Sequence, residues 1–277
     1  MKLVLTYAIA TMGLMGLVFG ALLALASKKF AVETDPRVGE IRSVLPGANC
    51  GACGFPGCDA LAEAIAAGKA PVDACKAGGP SVTAKVAQVM GATVELPKRR
   101  MVALVKCIGD RERARGRGEY AGVPTCRAAV LAGGGHKECL YGCLGFGDCV
   151  RACAFDAIKV GPGGIAVVDP AKCTACGKCV SACPRGIIEI VPADQHVHVM
   201  CRNQEKGAVT RKQCSVGCIA CQACVRACPR EAIKVESNVA VIDYSKCDDC
   251  GTCATKCPVK VISPKPAKAL EENAAAC

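Results

Sequence analysis

The chain has 277 residues and a formal net charge of +11, with 25 cysteines, no tryptophan and only 3% aromatic residues. So few aromatic residues argue against a large conventional hydrophobic core, and the cysteines are spaced as metal ligands, not as the disulfide framework of a secreted protein, which predicts a reducing compartment. The basic residues do not alternate with aromatic ones as single-stranded nucleic-acid binding requires, so nucleic acid is excluded as a partner.

Residues 1–27 are predicted to form a transmembrane anchor. Leu3 to Ala26 are almost wholly apolar, and a helix of that length, about 36 Å, is long enough to cross a bilayer. A cleaved signal peptide is the alternative, but the apolar run is long for one, and Lys28 and Lys29 follow it. Positive charge after the helix predicts that the rest of the chain lies on the cytoplasmic side.

A predicted linker, residues 28–46, leads to a small helical module over residues 47–92. It opens with NCGACGFPGC, followed by an alanine-rich stretch. The four cysteines around this stretch are Cys50, Cys53, Cys58 and Cys75. Because iron–sulfur cubes take cysteine thiolates, this arrangement predicts a [4Fe–4S] site, with a four-cysteine zinc site as the alternative.

Residues 93–138 are predicted to be a basic segment that contains one strand. MVALV, residues 101–105, leads into Cys107, and arginines follow at Arg111, Arg113, Arg115 and Arg117. This charge run is typical either of a solvated face or of a surface that docks an acidic protein.

An internal duplication fills most of the remaining chain. Residues 139–190 contain CLYGCLGFGDCVRAC and CTACGKCVSACP, and residues 214–263 contain CSVGCIACQACVRACP and CDDCGTCATKCP. Each half includes C-x2-C-x2-C-x3-C-P, in which three cysteines hold one [4Fe–4S] cluster and the fourth reaches the neighbouring cluster. The predicted fold class is α+β: a transmembrane helix, a small helical [4Fe–4S] module, and two tandem dicluster ferredoxin-like units of the βαββαβ type.

The spacing predicts four ligand groups within the two units. Cys221 has no counterpart in the first unit, where Phe146 stands, so Cys139 is predicted to supply the missing ligand there. The predicted groups are Cys139, Cys143 and Cys149 with Cys183; Cys173, Cys176 and Cys179 with Cys153; Cys218, Cys221 and Cys224 with Cys257; and Cys247, Cys250 and Cys253 with Cys228.

The cysteines left over predict a further cluster. Five cubes follow from spacing, and a sixth follows from the number of remaining ligands, which are Cys107, Cys126, Cys201 and Cys214. Buried free thiols are the alternative, because cysteine is often fully buried. A cube with four thiolates carries about −2 when oxidised, so six cubes would offset the basic balance of the chain.

Two further segments complete the predicted domain organisation. They are a connecting segment, residues 191–213, and a tail, residues 264–277. His196 and His198 alternate in the connecting segment, where a metal site would lack a third ligand. The tail is rich in alanine, proline and lysine and is predicted to be mobile, with Cys277 as a free thiol.

The order of an apolar anchor, CGACGFPGC, YGCLGFGDCVRAC and two dicluster units resembles the B subunit of the Rnf complexes, which are ion-translocating ferredoxin:NAD+ oxidoreductases of bacterial and some archaeal membranes. The resemblance covers nearly the whole chain and departs from the pattern at Ala154, where proline usually follows the cysteine. It implies an electron-transfer subunit in the cytoplasmic membrane that accepts electrons from reduced ferredoxin. Its partners would be membrane subunits and a flavin- and NAD-binding subunit.

Two other functions remain open from the sequence. One is a membrane-anchored polyferredoxin that feeds a different enzyme, such as a hydrogenase or a reductase. The other is an iron–sulfur scaffold without redox flux. The chain carries no motif for substrate chemistry of its own, so ion translocation falls to the partner subunits. Ferredoxin would dock either at the arginine run or at the N-terminal module.

Overall fold

The computed structural model describes residues 2–29, 35–94 and 99–263. Within these ranges the helices are α1 (Lys2–Lys29), α2 (Pro36–Val44), α3 (Cys58–Ala66), α4 (Gly79–Met90), α5 (Cys126–Leu131), α6 (Asp148–Arg151), α7 (Lys178–Ala182), α8 (Gly207–Gln213), α9 (Ala223–Ala227) and α10 (Thr252–Thr255). The strands are β1 (Met101–Val105), β2 (Ile158–Val160), β3 (Ala166–Val168), β4 (Ile188–Pro192), β5 (His198–Val199), β6 (Ile233–Glu236), β7 (Val239–Ile242) and β8 (Ile262–Ser263). The predicted tail and Cys277 lie outside the described residues.

Helix α1 is the long apolar element at the N-terminus. Its stretch Ala10–Lys29 is not buried against protein. By length and composition it is able to cross a bilayer, a property that signal sequences share. Leucine and methionine side chains are exposed on all of its faces, which is typical of a helix covered by lipid.

Helices α2, α3 and α4 form a small module with its own core. Ile41, Leu61, Ile65 and Val86 are almost fully buried there, together with two of the cysteines. The Asp35-Pro36 pair within the predicted linker begins helix α2, because the Asp35 carboxylate accepts a hydrogen bond from a first-turn N–H and proline fits the first turn.

The strands form four two-stranded antiparallel sheets among the described residues. Strand β1 pairs with β4 from Met101–Pro192 to Val105–Ile188, and β5 pairs with β8. The hairpins β2–β3 and β6–β7 lie between these pairs. Each half therefore runs strand, two helices, hairpin, helix, strand.

The strand pairs extend each half beyond the boundaries predicted from the cysteine motifs. The strand predicted at residues 101–105 is present with those bounds, but the predicted division at residue 139 separates it from its partner β4. The division at residue 214 likewise separates β5 from β8. Repeat boundaries read from cysteine motifs miss these strands, because a sheet partner many residues away leaves no local signal.

The cores of the two halves combine small aliphatic side chains with cysteines. Val105, Ile158, Ile187 and Ile188 pack with buried cysteines in the first half. In the second half, Val199, Ile233 and Val261 are among those that do so. No aromatic side chain is fully buried in either core within the described ranges. Such cores are thin, so we expect the metal groups to complete them.

Removal of iron is expected to unfold residues 99–263. With the metal groups gone, the cysteine-lined cores lose the contacts that hold the short helices and hairpins together. Anaerobic chelation should abolish most amide-exchange protection in β1 and β4, whereas α1 should stay helical in detergent. Protected β1 and β4 amides in iron-free protein would contradict this expectation.

Candidate iron–sulfur sites

The N-terminal group consists of four cysteines that line one cavity: Cys50, Cys53, Cys58 and Cys75. Cys58 begins α3, and its N–H donates to Asn49 Oδ1 at 2.8 Å, which fastens the cysteine loop to the helix. Gly51 takes φ +64°, a left-handed conformation that lets the loop turn back on itself. Burial raises the pKa of the Cys75 thiol, and the three other cysteines add to this rise. The structure thus brings all four predicted residues together.

The first outer group contains the predicted set Cys153, Cys173, Cys176 and Cys179. Burial raises the pKa of the Cys179 thiol to about 11, and the other three cysteines are near enough to raise it further. The Cys173 sulfur accepts hydrogen bonds from the N–H groups of Ala103 at 3.3 Å and Ala175 at 3.4 Å. Strand β1 therefore supports this group directly.

The first inner group consists of Cys126, Cys143, Cys149 and Cys183, which line one cavity. The prediction that Cys139 completes this set is therefore wrong in the structure. Cys126 takes the place because Asp148, at the start of α6, accepts hydrogen bonds from the N–H groups of Cys126 and Arg127, both at 3.0 Å. Burial raises the pKa of the Cys149 thiol to about 12, with Cys143 and then Cys126 adding to the rise.

The bridging group lies between the two halves and consists of Cys107, Cys139, Cys201 and Cys214. Cys139 thus replaces Cys126 in the predicted sixth set. Cys107 and Cys201 each follow the first strand of their half, and Cys139 and Cys214 are 75 residues apart at equivalent positions of the repeat. Each half therefore contributes the same two positions to the site, a symmetry that the sequence comparison missed.

A buried asparagine supports the bridging group. Asn203 is 1% exposed. Its side-chain amide donates to Cys139 Sγ at 3.5 Å, and its backbone N–H donates to Cys201 Sγ at 3.4 Å. Burial raises the pKa of the Cys201 thiol to about 12, and the backbone N–H of Asn203 is among the influences that oppose this rise. Donors of this kind stabilise ligating sulfur.

The second half holds the two remaining predicted groups. The second inner group, which lines one cavity, is Cys218, Cys221, Cys224 and Cys257. The second outer group is the predicted set Cys228, Cys247, Cys250 and Cys253. Burial raises the pKa of the Cys253 thiol to about 11, and Cys224, Cys247 and Cys228 add to the rise. Cys221 and Cys250 are the two exposed cysteines among the 24 described ones.

These groups suit an extended cube better than a single ion. No three of the described histidine, cysteine, aspartate and glutamate residues converge as ligands of one metal ion. A zinc ion needs its sulfurs about 2.3 Å from one centre, whereas a cube holds its ligands farther apart. Backbone N–H groups also point at ligand sulfurs, as Ala232 does at Cys228, 3.4 Å away. Because burial raises the pKa of these thiols, binding of the metal group must displace protons.

The two histidines of the connecting segment serve the fold. His196 Nδ1 lies 2.7 Å from the Asp249 carboxylate, whose oxygens also accept the N–H groups of His196 and Val197. Burial lowers the pKa of His198, and its neutral ring lies between the Tyr244 hydroxyl at 2.7 Å and the Gln195 carbonyl at 3.0 Å. These contacts fix strand β5 against the second outer group.

Three protein-family profiles match parts of the chain. A putative Fe–S cluster family matches residues 45–77, a 4Fe–4S binding domain matches residues 166–189, and a 4Fe–4S dicluster domain matches residues 217–267. They coincide with the N-terminal group, with β3 to β4, and with most of the second half.

Curated relatives cover most of the chain. The B subunit of the Na+-translocating ferredoxin:NAD+ oxidoreductase complex of Acetobacterium woodii is 52% identical over 255 residues, which are 92% of this chain and 76% of the relative. The B subunit of the ion-translocating oxidoreductase complex of Methanosarcina acetivorans is 41% identical over 95% of this chain and 99% of its own. The B subunit of the proton-translocating ferredoxin:NAD+ oxidoreductase complex of Clostridium ljungdahlii is 44% identical over 92% and 90%.

The chain belongs to the B-subunit family of Rnf-type ion-translocating oxidoreductase complexes. The family predicted from the motif order is thereby confirmed. With its 4Fe–4S domains, the chain is an iron–sulfur electron-transfer subunit of such a membrane-associated complex. The chain contributes to the oxidoreductase as one subunit of the complex.

Paired cysteine-to-alanine changes test the grouping. C107A/C139A removes two ligands from the bridging group and should cost about four irons. C107A/C126A removes one ligand from each of two groups and should cost about eight. Iron and acid-labile sulfide per chain, measured in anaerobically purified protein, check this against about 24 irons in the unmodified chain. The reverse order of losses would restore the grouping predicted from spacing, and about 20 irons in the unmodified chain would remove the bridging cluster.

Proposed function

We propose that this chain takes electrons from reduced ferredoxin and relays them through six [4Fe–4S] clusters to the membrane subunits and the flavin- and NAD-binding subunit of an Rnf-type complex. Each cluster supplies reversible one-electron reduction. We further infer two tandem dicluster ferredoxin-like units, each of the βαββαβ type with one additional helix after its first strand, and all 24 described cysteines as ligands. The observation that carries the proposal is the serial arrangement of the cysteine groups.

Neighbouring cysteine groups lie close enough to influence one another. In the first half, the charge of Cys179 in the outer group helps to raise the pKa of Cys149 in the inner group. In the second half, the charge of Cys224 in the inner group helps to raise the pKa of Cys253 in the outer group. The Cys143 N–H donates to Cys107 Sγ at 3.4 Å, which joins the first inner group to the bridging group.

The same contact recurs on the other side of the bridge. The Cys218 N–H hydrogen-bonds to Cys201, which joins the bridging group to the second inner group. We place the N-terminal group at the opposite end of the series, since a Cβ built on Gly51 would stand 3.9 Å from Nζ of Lys178, the residue before Cys179 of the first outer group. The order is therefore N-terminal, first outer, first inner, bridging, second inner, second outer.

The second half offers the entrance for a soluble donor. Both exposed cysteines, Cys221 and Cys250, belong to it. Four exposed cations that pair with no carboxylate among the described residues lie within four residues of the cysteines of its inner and outer groups: Arg226, Lys246, Lys256 and Lys260. The neighbouring carboxylates Asp248 and Asp249 are already paired with Arg230 and His196. This leaves a basic surface suited to an acidic ferredoxin.

The arginine run is less suited to docking. Arg113 pairs with Asp110 at 3.5 Å, and Arg115 pairs with Glu138 at 3.2 Å. Arg117 Nε donates to the Gly135 carbonyl at 2.9 Å. These contacts fasten the segment to neighbouring loops, so we place the docking surface at the second half in preference to both sites considered from the sequence.

Neutralising the four cations tests the entrance. Replacement of Arg226, Lys246, Lys256 and Lys260 by glutamine should slow reduction by ferredoxin by about tenfold or more at low salt and flatten its salt dependence, because steering by charge is lost. Stopped-flow absorbance of the anaerobic subunit measures the rate. Reduction by a small neutral donor should not change.

A matched variant removes equal charge elsewhere. Lys69, Lys85, Lys159 and Lys172 are exposed and lie in the N-terminal module and the first half, and their replacement by glutamine should leave the ferredoxin rate nearly unchanged. Equal slowing in both variants would indicate a general charge effect and refute a local docking surface.

We also propose that α1 is a single-pass anchor and that the cluster groups face the cytoplasm. Lys28 and Lys29 lie in the last turn of α1, and positive charge favours the cytoplasmic side. A cytoplasmic reporter fused after Cys277 should therefore be active, and a periplasmic one inactive. The opposite pattern of reporter activity would refute this orientation.

A further inference from the structure

A buried lysine lies beside the bridging group. Lys137 is 2% exposed, and its ammonium donates to the Gly109 carbonyl at 2.6 Å. Among the described residues it forms no ion pair with a carboxylate. An ammonium withdrawn from water is costly unless other negative charge offsets it, so the surroundings of Lys137 must supply that charge.

The loop that accepts this hydrogen bond lies against the ligand sulfurs. A Cβ built on Gly109 would stand 3.0 Å from Cys214 Sγ and 3.9 Å from Cys107 Sγ. Burial raises the pKa of the Cys214 thiol, and Lys137 opposes that rise. Lys137 also opposes the rise at Cys143 of the first inner group. The ammonium thus lies near the junction of the two groups, where their thiolates would offset its charge.

The repeat provides an internal comparison. Because Cys139 and Cys214 are equivalent, the counterpart of Lys137 is Lys212, which is exposed. A second cation follows the same pattern: Arg185 is half-buried near Cys139, whereas its counterpart in the second half is Val259. Among the described residues, the two fully buried cations at the bridge, Lys137 and Lys106, both belong to the first half, and Lys106 is already paired with Glu189.

We propose that Lys137 is a positioning residue for electron transfer, whose ammonium raises the reduction potential of the cluster held by the bridging group. Reduction adds one negative charge to the site, and a fixed cation in a low-dielectric surrounding stabilises the reduced form more than the oxidised form. An electron arriving from the second half is thereby favoured at the bridge before it passes to the first half. The inference rests on the proposed cluster but does not depend on ferredoxin as donor.

Mediated redox titration of the full chain, followed by electron paramagnetic resonance, tests this. The resonance signal of the bridging cluster is identified as the one that is missing from the C139A variant. In K137M its reduction equilibrium should become at least tenfold less favourable, a shift of about −59 mV for one electron. The signals of the second half should stay in place. The matched variant K212M should shift none, because its ammonium already lies in water.

Two further variants separate charge from structure. K137R retains the charge and should keep the potential near that of the unmodified chain. K137Q retains a donor for Gly109 but no charge and should behave as K137M. An unchanged potential in K137M or K137Q at full iron content would overturn the proposal, as would an equal shift in K137R. Loss of the bridging cluster in both K137M and K137Q would assign Lys137 to assembly and overturn it as well. Iron content reports separately whether the proposed cluster exists.

Discussion

The convergence of cysteine sulfurs from distant segments is the constraint on which this fold depends. Helices α6, α7, α9 and α10 contain only four or five residues, far too few to be stable alone. Each carries a buried cysteine that belongs to a group of four. The short helices therefore take their positions from the cysteines they carry, and the paired strands close the cores around those cysteines.

Duplication explains how two such units come to share a site. The first strand of each half ends just before a cysteine, and that sulfur accepts a backbone N–H from the inner group of its own half: Cys143 to Cys107, and Cys218 to Cys201. Repetition of this contact brings two inner groups to one bridge. Because the backbone contacts are the same on both sides of the bridge, the two sides differ in their side chains. Lys137 is buried on one side, whereas its counterpart Lys212 is exposed on the other.

Much of this arrangement could be predicted from the sequence, and the exceptions have physical causes. Local spacing predicted the N-terminal group and three groups of the repeat, because ligands a few residues apart on one loop must lie together. It did not predict the partner of β1, since pairing of Val105 with Ile188 joins remote segments. The spacing also assigned Cys139 to the first inner group and Cys126 to the bridging group, the reverse of their places in the structure. Cys126 and Cys201 stand 75 residues apart, which suggested one shared role, but hydrogen bonds to Asp148 draw Cys126 to the inner group.

In the proposed relay, every electron that passes between the two halves crosses the bridging group. Among the described residues, the contacts between cysteine groups of the two halves all run through Cys107, Cys139, Cys201 and Cys214. The outer groups differ in surroundings, one beside the N-terminal module and the other with an exposed cysteine. In the proposed series, a charge placed near either outer group would act mainly on exchange with the partner beside it. A charge at the bridge would act on every transfer between the two halves, and the buried Lys137 ammonium lies at that position.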